Sequence, residues 1–367
     1  MKVLLVSGIY FPDIGGPASY LPRLASALIE KGHEVQTISL TDSDDFIRPH
    51  ESWERKFVSR NTNKLSRTFK LVRVIREEAK KSDFVFTNGL FVETALALIG
   101  LSCYSTAKIV GDPVWERLKN KKGTNYSVDE FAIRFTGVKT FIQRKTINLA
   151  LSQFNQLTAP SKNLANNIRH WGVKNEITVI PNGVECLKVE VNNHDYDVVS
   201  LARLVAWKQI DILIEACAIA KLKLAIAGDG PERRNLEELA ANTQCDAHFL
   251  GQLNREDSIH LLRRSKIFAL ISTYEGLSFA LIEAMMVEKS ILVSNIPGNT
   301  AVITDHVEGL VTEALSAREV AEKLSILNSD QMEIRLLGRS ARAKAQLNFC
   351  EEKQLTKMTD LLTEISK

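Results

Sequence analysis

Long apolar runs are missing from this 367-residue sequence. No stretch of about 18 apolar residues occurs, which excludes a membrane-spanning helix. The apolar opening Met1-Lys2-Val3-Leu4-Leu5-Val6 is too short for a signal-peptide core and runs into Ser7-Gly8 and then Pro12. It reads as a buried strand and its loop. Cysteine is sparse: Cys103, Cys186, Cys217, Cys245 and Cys350 are scattered and odd in number, with no CxxC pair and no His/Cys cluster. That excludes a disulfide framework and a structural zinc site, and reads as structural cysteines in a reducing cytoplasm. There is no short repeat, no low-complexity tract and no nucleic-acid recognition motif.

The residues present are those of a globular protein, 45% apolar and 25% charged, with enough chain for two cores. Net charge is only +3, but residues 1–182 hold 26 Lys and Arg against 17 Asp and Glu, and the remainder 21 against 27. One half therefore carries a basic face, suited to an anionic membrane surface or a phosphorylated acceptor.

Both halves alternate short β-branched runs with amphipathic helices, the pattern of α/β folds with parallel sheets. In the first half it predicts strands at 2–7, 34–39, 83–87, 107–111, 155–159 and 177–180. The helices between them are predicted at 17–31, 65–81, 91–101, 128–150 and 161–170. Pro17 suits a first helical turn, Leu21, Leu24, Leu28 and Ile29 recur on one face, and Gly32 stops the helix. A boundary falls at Ile180-Pro181-Asn182-Gly183, followed by the polar stretch 191–195. The second half predicts strands at 196–201, 222–227, 246–250, 267–271 and 290–294. Its helices are predicted at 208–220, 231–241, 256–265, 279–287, 316–328, 331–346 and 350–366. Two Rossmann-like domains, 1–182 and 183–349, are expected to face each other across a ligand cleft.

Four constellations could carry chemistry. Gly15 and Gly16 lie in Phe11-Pro12-Asp13-Ile14-Gly15-Gly16-Pro17, between the first strand and its helix. They either make a turn or admit a phosphate to a helix N-terminus; the spacing is not GxGxxG, which argues against NAD. Arg203 and Lys208 follow strand 196–201 at a helix entry. They are two solvated charges or a clamp for a diphosphate that offsets their repulsion with the helix dipole. Gly228-Asp229-Gly230-Pro231 is another strand-to-helix turn, explained by turn and helix-start chemistry alone. Tyr274-Glu275-Gly276-Leu277-Ser278-Phe279-Ala280-Leu281-Ile282-Glu283 is the most specific. Its two carboxylates can reach different hydroxyls of one ligand, and amides at 277–279 can cap a phosphate. Ala280, Ile282, Ala284 and Met285 make the helix apolar nearly all round, so a buried Glu283 needs a partner.

In this order the four pieces resemble retaining family-4 glycosyltransferases of the GT-B fold, over essentially the whole chain. The resemblance implies that the second domain binds a UDP- or GDP-sugar, with Arg203 and Lys208 on the diphosphate. Glu283 would take the ribose hydroxyls; Glu275, with the backbone of Gly276, Leu277, Ser278 and Phe279, would hold sugar and phosphates. Leu253, in Gly251-Gln252-Leu253, would contact the base. Gly15 and Gly16 would close over the diphosphate, with Gly228 lining the cleft. No metal or other cofactor is implied, and the terminal segment 350–367 would pack back on the first domain. Where many relatives carry a His, this chain has Val110-Gly111-Asp112-Pro113, so Asp112 stands in its place, as a substrate contact or as a turn former. Ser278 replaces a frequent Gly. The alternatives to a transferase are an epimerase-type GT-B enzyme and a non-catalytic sugar-nucleotide-binding subunit.

Residues 117–145 hold Arg117, Lys119, Lys121, Lys122, Arg134, Lys139, Arg144 and Lys145 against Asp129 and Glu130, interleaved with Phe131, Phe135, Phe141 and Ile142. This is either a core-facing helix with a solvated cationic face or a basic amphipathic helix lying on an anionic bilayer. The second suits a saccharide or lipid-linked saccharide acceptor of surface-polysaccharide assembly, met at the inner face of the cytoplasmic membrane.

Overall fold

The computed structural model describes the chain except residues 12, 14–15, 43–51, 121–123, 125, 135–136, 190–193, 314–315, 330–331 and 365–367. Gly15, Lys121, Lys122, Phe135 and most of the polar stretch after residue 190 therefore lie outside the described residues. The chain forms two compact units, Met1–Val114 with Asp129–Ile180 and Glu352–Lys367, and Trp115–Val128 with Pro181–Glu351.

In chain order the first unit runs β1 (Lys2–Ser7), α1 (Gly16–Glu30), β2 (Glu34–Thr41), β3 (Glu54–Ser59), α2 (Lys64–Ala79), β4 (Phe84–Asn88), α3 (Phe91–Leu98) and β5 (Tyr104–Lys108). It continues through α4 (Pro113–Asn120), α5 (Val128–Ile133), α6 (Val138–Leu151), β6 (Gln156–Ala159), α7 (Lys162–His170) and β7 (Ile177–Val179), α4 passing into the second unit. Its seven strands are parallel, in the order β3-β2-β1-β4-β5-β6-β7. Alternate residues of a strand face opposite sides of the sheet. Leu4 and Val6 accordingly join the core under α2, α3, α6 and α7, and Val3 and Leu5 the core with α1.

The second unit runs β8 (Tyr196–Leu201), α8 (Ile210–Ala220), β9 (Leu224–Ala227), α9 (Arg233–Asn242), β10 (Ala247–Gly251), α10 (Arg255–Arg263) and β11 (Ser265–Leu270). Then follow α11 (Phe279–Met286), β12 (Ser290–Ser294), α12 (Pro297–Thr300), β13 (Leu310–Thr312), α13 (Ala317–Asn328), α14 (Met332–Asn348) and α15 (Glu351–Glu364). Its parallel sheet is ordered β10-β9-β8-β11-β12-β13. The last helix, α15, leaves it: Met358 and Leu362 are fully buried in the α1 core of the first unit. Each such side chain contributes about 1.5–3 kcal/mol.

Three expectations are corrected. The strand predicted at 107–111 runs from Tyr104 to Lys108, because Ser105, Thr106 and Lys108 are polar residues buried in the sheet. The single helix 128–150 is two, α5 and α6, and Gly137 between them has φ +112°, a conformation that favours glycine. β3 and β13 were not anticipated: Glu54-Arg55-Lys56-Phe57-Val58-Ser59 is a charge-rich edge strand, and β13 has three residues. Cys186 and Cys350, 164 residues apart, bring their sulfurs to 3.3 Å.

Candidate active site

The residues of interest in the second unit gather at the carboxyl ends of its strands, where open parallel sheets hold ligands. β8 and β11 are neighbours in the sheet although more than 60 residues apart, so the loops after them run side by side. The loop after β8 carries exposed Arg203 and then a short 3-10 turn, Ala206–Lys208. Thr273, in the loop after β11, donates its backbone N–H to the Trp207 carbonyl at 2.8 Å and so ties the two loops together. Lys208 Nζ thereby meets Glu275, donating to Oε1. The same oxygen accepts from Ser272 Oγ at 2.6 Å.

Two close approaches hold this frame. Gly228 has φ +136°, and a Cβ there would sit 1.9 Å from the Ala202 carbonyl oxygen, so only glycine lets the loop after β9 pack on the one bearing Arg203. A Cβ on Gly298, at the start of α12, would lie 2.0 Å from the Glu275 carbonyl oxygen. Gly298 thus fixes Glu275 from behind, and nothing in the sequence marked it for that part.

Ser278 caps α11, its Oγ accepting from the Leu281 N–H at 3.3 Å, while Asn182 donates to the Leu277 carbonyl at 3.0 Å. Gly276, Ser278 and Phe279 remain partly accessible at the helix start, where free N–H groups and the dipole favour an anion. Within α11 the carboxylate of Glu283 is met by Arg255 Nε at 3.3 Å; Arg255 Nη1 also donates to Glu185 at 3.1 Å. Arg255 is a second residue the sequence reading missed. Its signal was a cation in the first turn of α10, an unfavourable place unless carboxylates oppose it. Half-buried Leu253 lies two residues before it. Trp115, carried into this unit from the first half of the chain, packs on Trp207 and Tyr274 at ring-centroid distances of 5.5 and 4.9 Å.

In the first unit Gly16 opens α1 after β1, and Gly15 lies outside the described residues. Asp112 is 1% exposed. One of its oxygens accepts from the Val114 N–H at 3.0 Å, at the start of α4, and the other from Arg144 Nη2 at 2.8 Å. The Arg144 guanidinium lies against the rings of Phe131 and Trp171, 4.8 and 4.9 Å from their centroids. This geometry gives Asp112 a helix cap and a buried ion pair. Asp112→Ala is expected to cost about 3–5 kcal/mol in urea unfolding, because a buried guanidinium loses its counter-charge. A loss under about 1 kcal/mol would refute that part.

Lys108, on the preceding strand, is also buried, with its Nζ 3.7 Å from the Tyr20 ring centroid and no hydrogen-bond partner among the described residues. Burial, reinforced by the charge of Arg23, pulls its amine down to about 7. Among the described residues no cluster of three His, Cys, Asp or Glu side chains is placed to hold a metal ion.

Residues 14–186 match the model of Glycosyltransferase Family 4, and residues 187–344 that of Glycosyl transferases group 1. One subunit of the human phosphatidylinositol N-acetylglucosaminyltransferase is 24% identical over 83% of this chain, which spans 64% of that protein's length. The alpha-monoglucosyldiacylglycerol synthase of Streptococcus pneumoniae is 23% identical over 84% of this chain and 74% of its own. A crystal structure of Anabaena HepE, in complex with UDP and glucose, superposes with a TM-score of 0.82 at 18% identity, covering 99% of this chain and 100% of the other. With two parallel-sheet Rossmann-like units and the two family matches joined end to end, the chain belongs to the family-4 glycosyltransferases and has the GT-B fold.

Proposed function

We propose that the chain transfers a sugar from a nucleotide-sugar donor to a lipid-linked or glycolipid acceptor, with retention of anomeric configuration. The observation that carries the reading is the meeting of Lys208 with Glu275 beside the N-terminus of α11. A lysine ammonium has three donors, and Glu275 occupies one, leaving the others with Arg203 for a diphosphate. Glu275 and the backbone of Gly276–Phe279 orient the sugar and phosphates, Glu283 takes the ribose hydroxyls and Leu253 lies along the base. In the reaction the bond from the sugar's anomeric carbon to the diphosphate oxygen breaks as the acceptor oxygen bonds to the same face of that carbon. The acceptor proton passes to a departing phosphate oxygen, and the cations stabilise the developing charge. No metal is needed. The UDP bound by the Anabaena neighbour supports UDP over GDP, and the names of the human and streptococcal relatives support a glycolipid acceptor. The acceptor is then met at the cytoplasmic face of the membrane.

The test is thermal unfolding with UDP-, GDP-, ADP- and dTDP-sugars in EDTA. At about 100 times its Kd the true donor stabilises by about 2.7 kcal/mol, and Arg203→Ala should abolish that gain. If no nucleotide sugar raises the midpoint, the reading fails.

A further inference from the structure

Over its first two turns α6 is inside out. Thr140 and Arg144 are buried, whereas Val138 is 77% exposed, Ile142 57% and Phe141 42%, with Leu149 at 68% farther along. The core cannot explain apolar residues on that side, since the helix already buries Ala150 and Leu151 in it. Lys139 and Lys145 stand on the same exposed side, and the Lys145 ammonium lies 5.5 Å from the Phe141 ring centroid. Ile133, 65% exposed, and exposed Arg134 stand at the end of α5. Residues 131–151 contain no Asp or Glu. A core-facing helix with a solvated cationic face leaves these apolar exposures unaccounted for.

We infer that this face of α6 docks on an anionic lipid bilayer, with Val138, Phe141, Ile142 and Leu149 entering the headgroup boundary and Lys139 and Lys145 on the lipid phosphates. Apolar side chains flanked by lysines on a helix that carries no acid of its own fit a lipid surface, because lysine stems lie along apolar groups while the ammonium reaches anionic heads. Lysine is depleted at protein–protein interfaces, which argues against a protein partner. The inference rests on the proposed function in one respect, that the acceptor is lipid-linked and must be met at a membrane.

Co-sedimentation of the full chain with phosphatidylcholine vesicles, with and without phosphatidylglycerol, tests it. Binding is expected only with phosphatidylglycerol and should weaken with salt. Each lysine near such a surface is worth about fivefold, so Lys139→Glu with Lys145→Glu should lower binding at least about tenfold. Ile142→Asp should lower it comparably, and both variants should keep the donor-induced thermal shift of the wild type. Wild-type protein that stays in the supernatant at low salt, or Ile142→Asp binding as well as wild type, overturns the inference. So does a wild-type dimer that Ile142→Asp makes monomeric, which would give the face to a second copy. Vesicle binding without any donor shift would instead count against the transferase reading and leave the docking face standing.

Discussion

Lys208→Ala is expected to lower turnover by about 10²–10³-fold, the usual cost of removing one preorganised donor from a developing oxyanion. The loss should fall on kcat more than on KM, because the ammonium matters most when charge builds on the leaving diphosphate. Its position depends on two loops being stitched together, by the Thr273–Trp207 hydrogen bond and the Lys208–Glu275 contact. Glu275→Ala should be as damaging by another route, since it removes both the carboxylate held by Ser272 and the partner that orients the lysine. Folding should survive in each variant. Lys208, 16% exposed, reaches water when Glu275 is gone, and buried Glu275 keeps the Ser272 hydroxyl when Lys208 is gone. Steady-state rates with the donor found by thermal shift, together with circular dichroism, decide it. Activity within about threefold of wild type in either variant would refute the assignment of the site.

Replacing Lys108 by methionine should stabilise the protein, by an amount that vanishes at high pH. The Lys108 amine is pulled from its usual 10.5 to about 7, first by burial and then by Arg23. Buried Lys289 is pulled less, to about 8, and donates to the carbonyls of Ser265 and Arg263 at 2.8 and 3.3 Å. Among the described residues Lys108 has only the face of Tyr20. Between pH 7 and 10.5 the unfolded chain holds a proton at this site that the folded chain has released. Unfolding free energy therefore rises with pH across that window, and below it the cost of charging the buried amine is fully present. The shift corresponds to about 5 kcal/mol, part of which the aromatic ring offsets. Lys108→Met keeps the volume and removes the charge, so a gain of about 3–5 kcal/mol is expected near neutral pH, fading towards pH 10. Urea unfolding of both proteins across the window measures the difference, in which other titrating groups cancel. A variant less stable than wild type at neutral pH, or a gain independent of pH, would mean that Lys108 has a partner when folded.

The strands and helices that could be read from the chain are those in which burial and apolarity coincide. β1, β4 and β8 have apolar residues on both faces, as strands inside parallel sheets do, and α1 and α11 announce themselves by one apolar stripe and by apolarity all round. β5 was displaced by three residues because its buried positions are Ser105, Thr106, Ala107 and Lys108, a polar set that a hydrophobic pattern passes over. β3 escaped because an edge strand has half its surface in water and can be charged.

Within the candidate site, local chemistry marked Arg203, Lys208, Glu275 and Glu283 through their places at strand ends and helix starts. Order along the chain linked them to a family, because glycine turns, cations and carboxylates at strand ends are each local devices that a sequence can display. What tertiary structure decided was which of them meet. Lys208 reaches Glu275 because β8 and β11 pair across a crossover, and Glu283 is opposed by Arg255 from α10. It also decided that Asp112 pairs with Arg144 and caps a helix, and that Val138, Phe141 and Ile142 point outward while Arg144 points in. Hydrophobicity and turn propensity act over a few residues and are written into the chain. The partner of a charge and the exposed side of a helix depend on segments brought together by the sheet order, which no local pattern encodes.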